Sequence, residues 1–119
     1  MSAIHLTTEE FSKKVTDLKD VEKGFKYLGD NPCIVDFFAD WCGPCKSISP
    51  ILEELSEENK DIILYKVNID EEQEVAAAFG IRSIPTLLFI PIDGKPQMTQ
   101  GAAPKTDLQR AIDTILLKK

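Results

Sequence analysis

The feature that most constrains the fold is a nearly continuous apolar run at residues 33–39, CIVDFFA. Such a run is typical of a strand buried on both faces, because a strand with one solvent-exposed face alternates polar and apolar side chains. A single carboxylate, Asp36, interrupts the run. The chain therefore has to cover both faces of the sheet that contains this strand, and it has to accommodate one ionisable side chain there.

Strand-like and helix-like patterns alternate along the rest of the chain. Further strands are predicted at three apolar segments: residues 62–69, 86–90 and 97–101, the last two around a turn at Asp93-Gly94. Helices are predicted at four places: from a capped start at residues 8–11 through Val15 and Leu18, along an apolar stripe after Cys45, from residues 70–72 to Gly80, and at residues 108–116. This order predicts an α/β fold with a partly parallel sheet.

Length and charge narrow the possible functions. The 119 residues fit one domain, which we expect to span residues 1–119. The net charge of −6, with no basic cluster, argues against nucleic-acid binding. No apolar run approaches the ~18–20 residues of a membrane span. The first six residues have neither a basic start nor an apolar stretch, so we predict no secretory signal and expect a cytoplasmic protein.

The densest chemistry lies at residues 41–46, WCGPCK, between the buried strand and the long helix. Cys42 is predicted at or just before the helix N-terminus, where free N–H groups and the helix dipole stabilise a thiolate. The thiolate is the species that attacks disulfides. Cys45 follows one helical turn later and can reach the first sulfur. The spacing therefore predicts a redox-active pair.

Two structural interpretations of the pair are weaker. A disulfide that closes so short a loop restrains the unfolded chain by only about 2 kcal/mol. A zinc site needs four ligands, and Cys33 and His5 are the remaining donors, without a second paired spacing. Cys33 is better interpreted as a small buried hydrophobe and His5 as a structural residue. We therefore predict no metal site.

Asp36 is the second informative residue, because a buried carboxylate costs several kcal/mol unless it is paired or protonated. Alternation places it on one face of its strand together with Ile34 and Phe38. Lys66, in the neighbouring predicted strand, is its natural partner. Spacing alone leaves two roles open: Asp36 accepts the proton of Cys45 during disulfide exchange, or it forms a plain structural ion pair.

A proline at the start of a predicted strand is the third informative residue. Pro85 follows Ile84 directly and precedes the strand at residues 86–90, where a proline is out of place unless the chain has to bend. Such a proline can adopt a cis peptide bond. From the residues alone, an ordinary loop proline is an equal alternative.

These residues together resemble the thioredoxin family. The WCGPCK segment is similar to the active site of that family, and further matching segments follow the family's order: residues 35–37 (VDF), Pro50, residues 66–70 (KVNID), 80–82 (GIR), 84–86 (IPT), 93–94 (DG) and 101–102 (GA). The resemblance covers nearly the whole chain. It implies a thioredoxin fold, in which helices flank a central mixed β-sheet and the dithiol lies at the tip of a strand.

The resemblance also implies roles for particular residues. The catalytic set would be Cys42 as exposed nucleophile, Cys45 as buried resolving thiol, Asp36 as buried proton acceptor, Lys66 as its partner and Pro85 as a cis proline facing the disulfide. A flat apolar patch would dock substrates through Trp41, Gly43, Pro44, Ile84, Pro85, Gly101 and Ala102. In thioredoxins in general the nucleophilic thiol has a pKa of about 7, against about 8.5 for a free thiol.

The function implied is a protein-disulfide reductase that supports electron transport and cell redox homeostasis. An NADPH-dependent flavoprotein of the thioredoxin-reductase type would restore the dithiol. We expect no bound cofactor, because the chain has no glycine-rich dinucleotide fingerprint, so NADPH and FAD belong to that partner. Clients would be disulfide-bearing proteins, with no nucleic-acid or membrane partner, and we expect a monomer.

Two alternatives remain beside this function. A disulfide donor or isomerase would use the same fold, although the Gly-Pro pair between the cysteines resembles the reducing relatives. A binding module would use the apolar patch while the thiols stay idle.

Two departures from the family's pattern affect the site: Phe38 stands where many relatives have Trp, and Ser83 replaces the Gly that usually precedes Ile-Pro.

Overall fold

A computed structural model of the chain describes residues 3–119. The strands are β1 (Ala3–His5), β2 (Cys33–Phe38), β3 (Ile63–Asn68), β4 (Thr86–Ile90) and β5 (Gln97–Gln100). The helices are α1 (Thr8–Lys14), α2 (Gly43–Glu58), α3 (Gln73–Ala78) and α4 (Lys105–Ala111), with a 3₁₀ turn at Val21–Lys23 and a π-helical end at Ile112–Leu116. The predicted lack of a secretory signal rests in part on Met1 and Ser2, which lie outside the described residues.

The five strands form one mixed sheet in the order β1-β3-β2-β4-β5. Strand β2 lies in the middle, parallel to β3 and antiparallel to β4. The register places Asp36 opposite Lys66 on β3 and opposite Leu87 on β4. The prediction of an α/β fold with a partly parallel sheet is confirmed.

Strand β2 is buried on both faces, as its composition predicts. One face belongs to a cluster with residues of α1 and α3, in which the β2 members are Cys33, Val35 and Phe37. The other face contributes Ile34 to a cluster with α2 and the C-terminal helix. Helices therefore cover both sides of the sheet, and Asp36 lies on the side of α2 because it alternates in phase with Ile34.

Some element boundaries differ from the sequence-based predictions. Helix α1 ends at Lys14, so Leu18 lies beyond it, and its cap is Thr7 rather than a residue of the segment 8–11. The Thr7 hydroxyl accepts from the Glu10 N–H while the Glu10 carboxylate accepts from the Thr7 N–H, a reciprocal pair of bonds that sequence reasoning placed one residue too late.

The edge strand β1 was missed. It has three residues, too few for an alternating pattern, and it exists because it pairs in parallel with β3. Within residues 3–119, no helix combines the length and the apolar character that crossing a bilayer requires.

Candidate active site

The two cysteines of the WCGPCK segment form a disulfide in the first turn of α2. Their Cα atoms are 5.3 Å apart. Cys42 is the N-cap of the helix, and the Cys45 backbone N–H donates to the Cys42 Sγ over 3.2 Å. Pro44 occupies the first helical turn, where its missing N–H leaves no partner unsatisfied. The start of α2 thus directs an N–H group at the Cys42 sulfur, and a donor in that position favours negative charge on its acceptor.

The expectation that Cys42 is exposed is wrong for this disulfide form. The exposed fraction of Cys42 is 4% and that of Cys45 is 3%, so exposure does not distinguish the two residues. The pair lies in a small apolar cluster with Ala39, against which Ile69 and Ile84 pack. The disulfide thus belongs to an apolar cluster, an arrangement that the linear spacing of the cysteines did not reveal.

Asp36 lies entirely within the protein and neither of its carboxylate oxygens has a hydrogen-bond partner. The Nζ of Lys66 lies 3.8 Å from its Oδ2, close enough for an ion pair and beyond a hydrogen bond. Loss of solvation raises the pKa of Asp36 to about 6, and the positive charge of Lys66 offsets this only in part. The carboxyl group therefore holds its proton up to a higher pH than an ordinary aspartate does.

Lys66 has two further neighbours that the sequence did not point to. Its Nζ donates to the Ser49 Oγ over 2.5 Å and lies 4.7 Å from the centre of the Phe38 ring. Ser49 follows Cys45 by one helical turn, so both side chains are on the same face of α2. The position of Ser49 four residues after Cys45 was a signal in the sequence that Ser49 could lie near the site. It becomes informative only once Lys66 is known to face α2.

The residues expected to dock substrates differ widely in exposure. Trp41 is 70% exposed, and its indole Nε1 donates to the Asp70 Oδ2 over 2.8 Å, a contact that sequence reasoning missed. The Ile84–Pro85 peptide bond is cis, Pro85 is buried, and its carbonyl accepts from the Gly101 N–H over 2.8 Å. The other members are exposed or half-buried: Gly43, Pro44, Ile84, Gly101 and Ala102.

The remaining cysteine and histidine do not join this group. Cys33 is buried at the far end of β2, where burial raises the pKa of its thiol to about 12 and the hydroxyl of Tyr27 opposes this only in part. His5 packs edge-on against Phe38, with 5.7 Å between ring centres. Across residues 3–119, no cluster of His, Cys, Asp and Glu side chains is arranged to hold a metal ion.

Comparison with known proteins identifies the family. A model of the family described as Thioredoxin matches residues 2–114. The chain belongs to the thioredoxin family. A thioredoxin from Borreliella burgdorferi is 51% identical over 100 residues, which cover 83% of this chain and 85% of that protein. Thioredoxin 1 from a Nostoc species is 37% identical over 113 residues, 94% of this chain and 95% of that protein. The M-type chloroplastic thioredoxin of Spinacia oleracea is 39% identical over 117 residues, 97% of this chain and 65% of that protein.

Membership of the thioredoxin family and the Cys42–Cys45 bond together establish the chemistry. The chain is a thiol–disulfide oxidoreductase that cycles this pair between dithiol and disulfide. Both the predicted thioredoxin fold and the predicted redox function are confirmed. Thioredoxins carry no bound cofactor, and the family's partners are thioredoxin reductase and proteins that contain disulfides. The relatives include chloroplastic forms, so the family does not fix the compartment.

Proposed function

We propose that this thioredoxin works as a reductant of client proteins, with Cys42 as the nucleophile and Cys45 as the resolving thiol. The observation that carries the assignment is the Cys45 N–H, which donates to the Cys42 sulfur at the start of α2. A donor in that position stabilises the thiolate of Cys42. The Cys45 sulfur, one turn into the helix, has the position of the second attacker.

The reaction proceeds by two exchanges of a sulfur–sulfur bond. The Cys42 thiolate attacks one sulfur of a client disulfide, which breaks that bond, releases the other client sulfur as a thiolate and forms a mixed disulfide. Cys45 then loses its proton and attacks the Cys42 sulfur. The mixed disulfide breaks, the client leaves with both sulfurs reduced, and the Cys42–Cys45 bond of this structure is formed.

Asp36 accepts the proton of Cys45 in this proposal, and Lys66 is its partner. A carboxylate with its pKa raised to about 6 is a better proton acceptor than an ordinary aspartate, because its basicity is closer to that of a thiolate. Its two oxygens have no hydrogen bonds to lose when the proton arrives. The 3.8 Å separation from Lys66 Nζ keeps a compensating charge nearby.

Clients dock on the apolar surface around the disulfide. Trp41 is the largest exposed apolar side chain there, and its bond to Asp70 limits the orientations of the indole. The bond between the Pro85 carbonyl and the Gly101 N–H holds the cis-proline loop and the turn after β5 side by side. We propose that Gly43, Pro44, Ile84, Gly101 and Ala102 complete the docking surface, with Pro85 facing the disulfide.

We also propose how the dithiol is regenerated, and in which oligomeric state and compartment the protein acts. The dithiol is regenerated by an NADPH-dependent flavoprotein of the thioredoxin-reductase type, which holds both the NADPH and the FAD. The chain acts as one domain over residues 1–119 and as a monomer. We place it in the cytoplasm, where thiols are kept reduced, because a reductant has to be regenerated to act repeatedly.

The test of direction is the midpoint potential of the Cys42/Cys45 couple. The protein is equilibrated in graded thiol–disulfide buffers and its alkylated cysteines are counted by mass spectrometry. We expect a potential clearly below that of the glutathione pool, because Gly-Pro resembles the spacer of reducing relatives. A potential well above that pool would instead make the chain a disulfide donor or isomerase. Absence of a reversible two-electron step would leave only the binding module.

The roles of the two cysteines are tested by trapping. A Cys45→Ser variant incubated with oxidised insulin is expected to accumulate a mixed disulfide through Cys42, visible as a dithiothreitol-sensitive adduct. The Cys42→Ser variant is the matched control and should give no adduct. Adduct formation by Cys42→Ser but not by Cys45→Ser would reverse the assignment.

A further inference from the structure

The ammonium group of Lys66 lies among three neighbours, and only one of them receives a hydrogen bond. The Nζ is 2.5 Å from the Ser49 Oγ, 3.8 Å from the Asp36 Oδ2 and 4.7 Å from the centre of the Phe38 ring. The Lys66 side chain is 10% exposed, so solvent has little access to compete for these contacts. The hydroxyl of Ser49 is thus the group to which Lys66 is bonded, although a carboxylate lies close by.

This choice of partner leaves Asp36 without any hydrogen bond. Both carboxylate oxygens are buried and unpartnered. A charge-assisted bond from an ammonium to a carboxylate has a donor–acceptor distance of about 2.7–2.9 Å. Lys66 Nζ is 3.8 Å away, so a movement of about 1 Å would close that bond. The bond to Ser49 opposes this movement.

We propose that Ser49 is a positioning residue, which holds Lys66 short of Asp36 so that the carboxylate remains basic enough to accept the proton of Cys45. The inference rests on the proposed role of Asp36. In this proposal Ser49 takes no part in bond formation at the sulfurs and acts through Lys66. Its place one turn after Cys45 puts the redox pair and the positioning hydroxyl on the same face of α2.

Lys66 is the charged neighbour of Asp36 whose position depends on its bond to Ser49. Strand β3 contributes Lys66 itself, and β4 contributes the apolar Leu87 directly opposite Asp36. On helix α2, the Ser49 hydroxyl that Lys66 bonds is uncharged, and Cys45, whose proton the proposed function assigns to Asp36, is titratable once reduced. The positive charge of Lys66 is what lowers the pKa of Asp36 against the effect of burial. A closer approach of that charge lowers it further.

The direct test measures the pKa of Asp36 by the pH dependence of its side-chain carboxyl ¹³C resonance, in oxidised and reduced protein. In Ser49→Ala we expect the pKa to fall by about one pH unit, a tenfold change in acidity, because Lys66 Nζ is free to bond the carboxylate. Ser49→Thr retains the hydroxyl and should keep the wild-type value. Alanine is a better helix former than serine, so the variant is expected to fold.

The matched control is Ser47→Ala, which removes a hydroxyl from the same helix. Ser47 is exposed and its Oγ donates to the Gly43 carbonyl, away from Lys66. This variant should leave the Asp36 pKa unchanged. An unchanged or raised Asp36 pKa in Ser49→Ala would overturn the proposal, as would an equal fall in Ser47→Ala.

A kinetic measurement separates this inference from the role of Asp36. The rate at which the mixed disulfide is resolved is recorded against pH. In Ser49→Ala, the pH at which this rate profile inflects should fall together with the carboxyl pKa. In Asp36→Asn the inflection should disappear. If Asp36→Asn keeps the wild-type profile, the proton-acceptor role fails, whatever Ser49 does to the carboxyl resonance. If Asp36→Asn loses the inflection but Ser49→Ala keeps the wild-type pKa, the role of Ser49 alone fails.

Discussion

Cys33 begins strand β2 and Cys42 lies four residues beyond the end of that strand, and both are almost fully buried, with exposed fractions of 0% and 4%. Their sulfurs nevertheless have different surroundings. Cys33 lies in an apolar cluster where burial raises the pKa of its thiol to about 12. Cys42 caps a helix of 16 residues, and its sulfur accepts a hydrogen bond from the Cys45 backbone N–H. The difference teaches that equal burial does not give equal reactivity: the Tyr27 hydroxyl offsets the burial of Cys33 only in part, whereas Cys42 lies at a helix N-terminus.

The comparison is tested most severely by alkylation of the reduced protein with iodoacetamide across pH. We expect Cys42 to be labelled readily near neutral pH, because the Cys45 N–H and the N-terminus of α2 stabilise its thiolate. Cys33, with its pKa raised to about 12, has almost no thiolate at pH 7 and should react more slowly there by at least about two orders of magnitude. Mass spectrometry of the peptides locates the label.

The control is the same reaction in guanidinium chloride, where all three cysteines should be labelled at similar rates. That result would show that the protection of Cys33 comes from the fold. Labelling of Cys33 in the folded protein at a rate close to that of Cys42 would break the comparison.

A smaller effect concerns stability, because strand β2 also carries the buried carboxylate of Asp36 between the two cysteines. The folded-state pKa of Asp36, raised from 3.8 to about 6, lies above its unfolded value. The folded protein therefore binds the proton more tightly, and its free energy of unfolding falls as pH rises from about 4 to about 6. Asp36→Asn removes the ionisation and should raise the free energy of unfolding at pH 7 by about 3 kcal/mol. Urea denaturation measures this.

Two controls sharpen the stability comparison. At pH 3 the Asp36 carboxyl is protonated in both the folded and the unfolded states, so the gain from Asp36→Asn should vanish there. Cys33→Ala, at the first residue of the same strand, should lower the free energy of unfolding by about 1 kcal/mol at either pH, because it removes one buried sulfur and leaves a small cavity. A pH-independent gain in Asp36→Asn would contradict the assigned ionisation.

The sequence by itself determined the elements whose signals are local. The apolar run of β2 and the alternation that divides its faces were predicted, and the structure has both. The disulfide between Cys42 and Cys45 follows from their separation of three residues at the start of a helix. Helix geometry alone brings side chains at that spacing together, so no distant part of the chain is needed.

Only the tertiary structure decided the contacts between elements. Ser49 and Lys66 are 17 residues apart, on α2 and β3, and their bond depends on strand register and on how the helix packs against the sheet. The pairing of β1 and the burial of Cys42 in a cluster with Ile69 and Ile84 have the same origin. A pattern of residue types predicts which side chains share a face. It does not predict which partner a buried ammonium group takes, because a difference of about 1 Å separates a bond to a hydroxyl from a bond to a carboxylate.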